Sequence, residues 1–283
     1  MKVHHLDCCS MCPPARRLVN GEGSFFERGF LCAHCLLVET PSSGLVLVDT
    51  GIGSADIADP VGRLGRGFVL ACGVSKPPRA MAAIEQVRAL GFDPKDVRHV
   101  VPTHLDVDHA GGIPDFPWAK IHVHVAEKSA ALAPTTMLER ERYRPAHFAH
   151  GPDFAPYERT GEPWMGFAAV RELPGLPPEI LAVPLPGHTR GHACIAVRAG
   201  ERWLFHAGDA YFHRAVLTSG TRDVPLGLRV FERQVAIDYR KVLENHRRLA
   251  ELARVRSSEV RVFSAHDAVE LEALRSAAPA AAS

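Results

Sequence analysis

The sequence predicts a layered α/β domain, and three observations carry that expectation. Short apolar, β-rich runs recur along the chain, stretches of helical periodicity fall between them, and strand, helix and strand follow one another in the order that builds packed layers. Leu31 to Glu39 and Leu45 to Asp49 are the first two runs; Thr40-Pro41-Ser42-Ser43-Gly44 between them is turn chemistry, so the pair reads as a hairpin. Pro78 to Leu90 sets Ala82, Ile84, Val87 and Leu90 at mainly helical spacing, with proline at the start and Gly91 at the stop. Val97 to Val101 and Ile121 to Val125 read as strands, as do Ile180 to Val183, Cys194 to Val197, Trp203 to His206 and Val260 to Phe263. Leu228 to Val255, apolar at Val230, Val235, Ile237, Val242, Leu243, Leu249 and Leu252, is expected to be one long helix. Gly62 to Val74 and Ala133 to Phe167 fit neither pattern and read as long loops. The second carries Tyr143, Phe148, Phe154, Tyr157, Trp164 and Phe167, and aromatics in that number argue for order.

A chain of 283 residues can hold two small domains or one layered one; the motifs below run from Asp49 to His266 without a linker, so one domain over 1–283 is expected. The balance of 33 basic against 32 acidic residues leaves no electrostatic footprint for nucleic acid or an anionic membrane. No apolar run approaches the roughly 20 residues needed to span a bilayer, so a soluble protein is expected. Seven cysteines, unevenly spaced, in a chain that opens Met-Lys-Val-His-His fit a reducing, cytoplasmic location.

His104-Leu105-Asp106-Val107-Asp108-His109 packs four metal-ligating side chains into six residues, directly after the run Val97 to Val101. Two imidazoles and two carboxylates this close repel or stay hydrated unless a cation organises them, and the mixed N/O set suits Zn, Fe or Mn. Gly187-His188-Thr189-Arg190-Gly191-His192, Gly208-Asp209-Ala210 and Ser264-Ala265-His266-Asp267 follow, each after a short apolar run, so each candidate ligand sits where a strand ends.

Read together, these pieces resemble the metallo-β-lactamase superfamily, whose signature is H-x-H-x-D-H, then a His, an Asp and a final His. The likeness runs from about Leu31 to His266 and includes Val48-Asp49-Thr50-Gly51, similar to the superfamily's V-D-T-G turn. Gly187 to His192 is most similar to the G-H-T-x-G-H of N-acyl-homoserine lactonases. The resemblance implies a four-layer αββα sandwich and a dinuclear site, with His104, Asp106 and His188 on the first metal, Asp108, His109 and His266 on the second, and Asp209 bridging. It implies two divalent ions, zinc first, a shared hydroxide that attacks a carbonyl, and a proton passed to the leaving group by Asp108. Residues 133–167 then read as a substrate cap over the metal site.

Asp106 departs from the pattern, since most members have His there; an acidic residue in that place resembles flavodiiron proteins, whose residue is Glu. With three carboxylates and one hydroxide, two divalent metals reach zero formal charge, where His would leave plus one. A more neutral, oxygen-richer centre brings Fe or Mn into play beside Zn. His192 is expected to orient and not to ligate, Asp49 to accept N–H groups at its turn, and the Cys32-Ala33-His34-Cys35 pair to pack in a strand. Cys8, Cys9 and Cys12 lie near His4 and His5, and an extra metal site there is not expected. His147 and His150 read as surface residues. Tyr211 stands two residues after Asp209, whereas the lactonases place a substrate-contacting Tyr three residues after their bridging Asp, where this chain has Phe212.

The leading expectation is a metal-dependent hydrolase of a lactone or related ester, acting on a small molecule, its oligomeric state open and a homodimer included. Glyoxalase-type thioester hydrolysis shares Thr103-His104 and Gly111-Gly112, but those enzymes carry a helical extension where only 17 residues follow His266 here. β-Lactam hydrolysis lacks its motifs after His188. The alternatives of another class are a di-iron redox protein needing a separate electron donor, and a sensor that holds metal without turnover.

Overall fold

The computed structural model describes residues 1–76, 80–158, 161–168 and 173–277. Its first sheet takes strands β1 (Lys2–Asp7), β2 (His34–Glu39), β3 (Leu45–Val48), β4 (Val97–Val101), β5 (Lys120–His124) and β6 (Asp153–Tyr157) in that spatial order. β1, β2 and β3 are antiparallel neighbours, and β3 to β6 run parallel. A two-residue hairpin, β7 (Pro163–Trp164) and β8 (Phe167–Ala168), precedes the second sheet. That sheet comprises β9 (Ile180–Pro184), β10 (Ala193–Ala199), β11 (Arg202–His206) and β12 (Val260–Phe263), ordered β12-β11-β10-β9.

Strand periodicity of two explains the layers. Leu36, Val38, Val46 and Val48 of the first sheet meet Ile180, Ala182, Ile195 and Val197 of the second in one shared core. Their neighbours Leu37, Leu45 and Leu47 face the opposite way, against Ala83, Ile84, Val87 and Ala130 of helices. On the far side of the second sheet, Leu181, Val183, Cys194 and Ala196 pack under Leu228, Leu249 and Leu252. The order is helix, sheet, sheet, helix, the αββα sandwich, and strands buried on both faces read as the near-continuous apolar runs seen in the sequence. Among the described residues no helix is long and apolar enough to cross a membrane.

Several expectations are corrected. The helix expected from Pro78 begins at Ala83 and ends at Ala89, before Gly91 at φ +87°; Pro78 itself lies outside the described residues. Gly62 to Val74 is no plain loop: it enters the short helices Pro60–Leu64 and Arg66–Ala71. Leu228 to Val255 is two helices, Leu226–Val235 and Tyr239–Val255. The break has a physical cause: Ile237 and Asp238 donate their backbone N–H groups to the carbonyls of His188 and Gly187, while the Asp238 side chain caps the second helix at Lys241 N. Helical periodicity on both sides hides a break whose partner lies elsewhere in the chain.

The aromatics of residues 133–167 do not gather over the predicted metal residues. Tyr157 joins the core between the sheets, Phe148 the outer core of the first sheet, and Trp164 stacks on Phe205 at 5.5 Å. β6, expected within the loop, completes the first sheet beside β5. Among the described residues of this stretch, the helix Met137–Arg142 alone contributes to the cavity described next, through Leu138, Glu141 and Arg142.

Candidate metal centre

Five of the sheet strands end at the site. β3 ends before Asp49, β4 before His104, β9 before His188, β11 before Asp209 and β12 before His266, so loops from both sheets meet over the edge of the sandwich. All seven predicted residues come together in two groups: His104, Asp106, His188 and Asp209, then Asp108, His109 and His266, with the ligand atoms within each group at most 4.8 Å apart. Asp209 lies between the groups. Its Oδ2 is 3.3 Å from His188 Nε2 and 3.8 Å from His104 Nε2, while Oδ1 is 3.0 Å from His266 Nε2 and 3.2 Å from His109 Nε2.

Partners behind the imidazoles decide which nitrogen faces inward. Asp49 accepts from His109 Nδ1 at 2.9 Å, the Cys32 carbonyl accepts from His266 Nδ1 at 2.7 Å, and Thr103 Oγ1 accepts from His104 Nδ1 at 3.0 Å while donating to Asp49. Each of these rings therefore turns an Nε2 lone pair to the centre. Asp49 sits at φ +56°, an uncommon conformation for a residue other than glycine, and also accepts the Thr103 N–H at 2.7 Å. His192 orients as expected: Nδ1 donates to the Leu185 carbonyl and Nε2 accepts the backbone N–H of Asp209.

Electrostatics point to a cation. Burial would raise the carboxyl of Asp209, yet His266, His109 and His188 hold it well below the usual range. Burial would likewise depress His109, but Asp209, Asp49 and Asp108 push it well above its ordinary value. His104 Nε2 and Asp209 Oδ1 are buried without a hydrogen-bond partner, and an orphaned lone pair on each of two ligand-type atoms is what a metal site leaves open. The residues fit a pair of divalent ions.

Four features escaped the sequence reading. Glu127, fully buried, accepts the backbone N–H of Leu105 at 2.9 Å and of Gly191 at 3.0 Å, and the Tyr143 hydroxyl at 3.0 Å, so one carboxylate ties two ligand loops together. Arg142 donates to Asp106 and His188. Its positive charge restores to the centre the plus one that Asp106 removes, which corrects the charge argument drawn from Asp106 alone. His147 is buried, not at the surface, and pairs with Asp56 at 3.1 Å. Cys72 borders the cavity, but burial lifts its thiol to about 12, so it stays protonated. None of these follows from spacing within a motif. Tyr211 donates to Glu270 in the interior, whereas Phe212 lines the cavity and stacks on His266 at 5.5 Å.

The cavity over the two groups measures about 330 Å³. Asp106, Asp108, His188, Asp209 and His266 form its polar floor, and Met11, Phe68, Leu138, Phe212 and Phe231 form apolar walls. A wider groove of about 1170 Å³, along the helix Tyr239–Val255, shares no residue with the two groups.

A family model described as the Metallo-beta-lactamase superfamily matches residues 28–216. "Probable metallo-hydrolase Mb2322c" of Mycobacterium bovis is 42% identical over 269 residues, covering 94% of this chain and 80% of that protein. "N-acyl homoserine lactonase AttM" of Rhizobium johnstonii is 30% identical over 184 residues, 61% of this chain and 63% of that protein. A solved N-acyl homoserine lactone hydrolase, with the product N-hexanoyl-L-homoserine bound at its catalytic metal center, superposes with a TM-score of 0.70 at 20% identity, over 96% of this chain and 95% of that one. At that identity the structural likeness speaks to the fold alone.

Proposed function

The chain belongs to the metallo-β-lactamase superfamily, and on that premise we propose that it is a metallo-hydrolase opening lactones or related esters at a dinuclear centre. One observation carries the reading: the two oxygens of Asp209 face two separate groups of ligand atoms, the geometry a bridging carboxylate requires. His104, Asp106 and His188 would hold one ion, and Asp108, His109 and His266 the other. Zinc is the first candidate from the imidazole content, with Fe or Mn admitted by Asp106. When bound, such a pair lowers the pKa of water and polarises a carbonyl oxygen.

The chain's own residues supply the rest. Asp49, Thr103 and the Cys32 carbonyl fix the imidazoles, and His192 fixes Asp209. The Asp108 carboxylate lines the cavity floor, where it would take up the proton released by the attacking nucleophile and pass it to the leaving alkoxide. Phe212, Phe231, Phe68 and Leu138 offer an apolar surface to the part of a small-molecule substrate beyond its ester. The helices Arg66–Ala71, Met137–Arg142 and Leu226–Val235, which supply Phe68, Leu138 and Phe231 of that surface, act as the cap. All seven cysteines are free thiols, which supports a reducing, cytoplasmic setting.

Metal analysis of the purified protein, followed by a panel of N-acyl homoserine lactones, simple lactones, thioesters and β-lactams, tests the proposal. Metal together with lactone opening is the expected result. Iron without hydrolysis would favour redox chemistry, and metal without turnover on any ester would favour sensing.

A further inference from the structure

Arg142 brings a fixed positive charge into the first group of ligands. Its Nη1 donates to Asp106 Oδ2 at 2.8 Å, to Asp106 Oδ1 at 3.1 Å and to His188 Nε2 at 3.0 Å, and Nη2 donates to the Val235 carbonyl. The side chain is only 4% exposed. Its placement is built from behind. Arg142 ends the helix Met137–Arg142, whose start is closed by a capping box of Thr136 and Glu139, and the next residue, Tyr143, is anchored on Glu127. A guanidinium held this way has little freedom to withdraw.

His188 Nε2 has a single lone pair. It serves either the Arg142 N–H or a metal, and His188 Nδ1 is buried without a partner to fix the ring for either role. The guanidinium also stands where a divalent ion on Asp106 and His188 would repel it, an interaction that is large even at an effective dielectric of about 20. The second group differs. Among the described residues, the hydrogen-bond and ion-pair partners of Asp108, His109 and His266 include no Arg or Lys, and two of its imidazoles are fixed through Nδ1.

We propose that Arg142 is an internal cation that competes for the first metal subsite and makes the two subsites unequal. The subsite of Asp108, His109 and His266 retains its ion, while the subsite of His104, Asp106 and His188 holds its ion more weakly. Asp106 and Arg142 act as a pair: together they carry the zero charge of the neutral histidine usual at position 106, but one member of the pair can occupy the ligands itself. The inference rests on reading the two groups as metal subsites.

Zinc binding to the stripped, full-length chain tests it by calorimetry, and by metal retained on dialysis against chelators of graded affinity. The parent should bind one zinc tightly and a second at least about tenfold more weakly. Arg142→Gln, which removes the charge, should tighten the second equivalent by about tenfold or more and leave the first unchanged. Arg142→Lys, which keeps the charge, should stay close to the parent. Two equal zinc sites in the parent would overturn the proposal without any variant, and leave the dinuclear reading standing. So would an Arg142→Gln protein, folded by its thermal transition, whose weak site is unchanged or lost. A parent that binds no zinc would remove the dinuclear reading itself, and the proposal with it.

Discussion

His192 Nε2 accepts the backbone N–H of Asp209 at 3.1 Å, so an imidazole aims the central carboxylate without joining the ligand set. Gly208 makes that approach possible. A Cβ there would lie 2.7 Å from His192 Nε2 and 2.8 Å from Thr103 Oγ1, and its φ of +52° suits glycine. Asp209→Ala and His188→Ala should therefore reduce ester hydrolysis to background and lower the bound metal. His192→Ala should lose about 10- to 100-fold in activity or metal affinity, the usual scale for a residue behind a ligand. Cys32→Ser should largely spare turnover, since it is the Cys32 backbone carbonyl that holds His266. Kinetics beside metal content for the four variants provide the check, and full activity in Asp209→Ala would place the chemistry elsewhere.

Glu127 gives a stability prediction. Its carboxylate takes the N–H groups of Leu105 and Gly191, from loops that carry different ligands. Glu127→Ala leaves these two buried donors and the Tyr143 hydroxyl unmet, at roughly 1–3 kcal/mol each, so a loss of several kcal/mol in urea unfolding is expected. Gly191→Ala should act on the same joint, because its Cβ would fall 2.3 Å from Glu127 N. Either variant unfolding at the parent's urea concentration would show that the loops are held by other contacts.

The sandwich and the seven candidate ligands were legible because each signal is local. Strands buried on both faces announce themselves as apolar runs, and ligands placed after strand ends fall into short motifs such as His104 to His109. Arg142 and Glu127 were not legible, since Arg142 meets Asp106 across 36 positions and Glu127 meets Gly191 across 64, within segments that carry no motif. The helix break at Ala236 to Asp238 was hidden for the same reason: its cause is the His188 carbonyl. Tyr157, Phe148 and Trp164 of residues 133–167 each join a different core, and composition alone does not say which core an aromatic joins.

A histidine cluster away from the centre sets a pH response. His5 Nδ1 and His34 Nε2 are 2.9 Å apart, and His206 Nε2 donates to the His34 carbonyl at 2.6 Å. Burial, then His206, lowers His5 to about 4, and the same two causes hold His34 well below its ordinary value. Below about pH 6.5 the unfolded chain takes up protons that the folded chain refuses. Stability should be present above that pH and fall as the pH drops toward 4. Urea midpoints at pH 7, 6 and 5, with chelator in every sample, should decline in the parent and decline less in His5→Gln. Parallel slopes would mean that His5 titrates alike in both states.

Asp106 tests the charge pairing directly. Replacing it with Ala should weaken the first subsite selectively and leave about one equivalent of metal, because Asp108, His109 and His266 are untouched. Asp106→His by itself should fall short of the family pattern it copies. It places a neutral imidazole beside the Arg142 guanidinium, which loses its carboxylate and keeps its position through the Val235 carbonyl. Two divalent ions would then face one more positive charge than in the parent. Adding Arg142→Gln removes that charge, so the double variant should bind a second zinc more tightly than either the parent or Asp106→His, and open lactones at least as fast as the parent. Zinc titration and kinetics on the three proteins decide it. If Asp106→His alone matches the double variant, Arg142 carries no electrostatic weight at the centre.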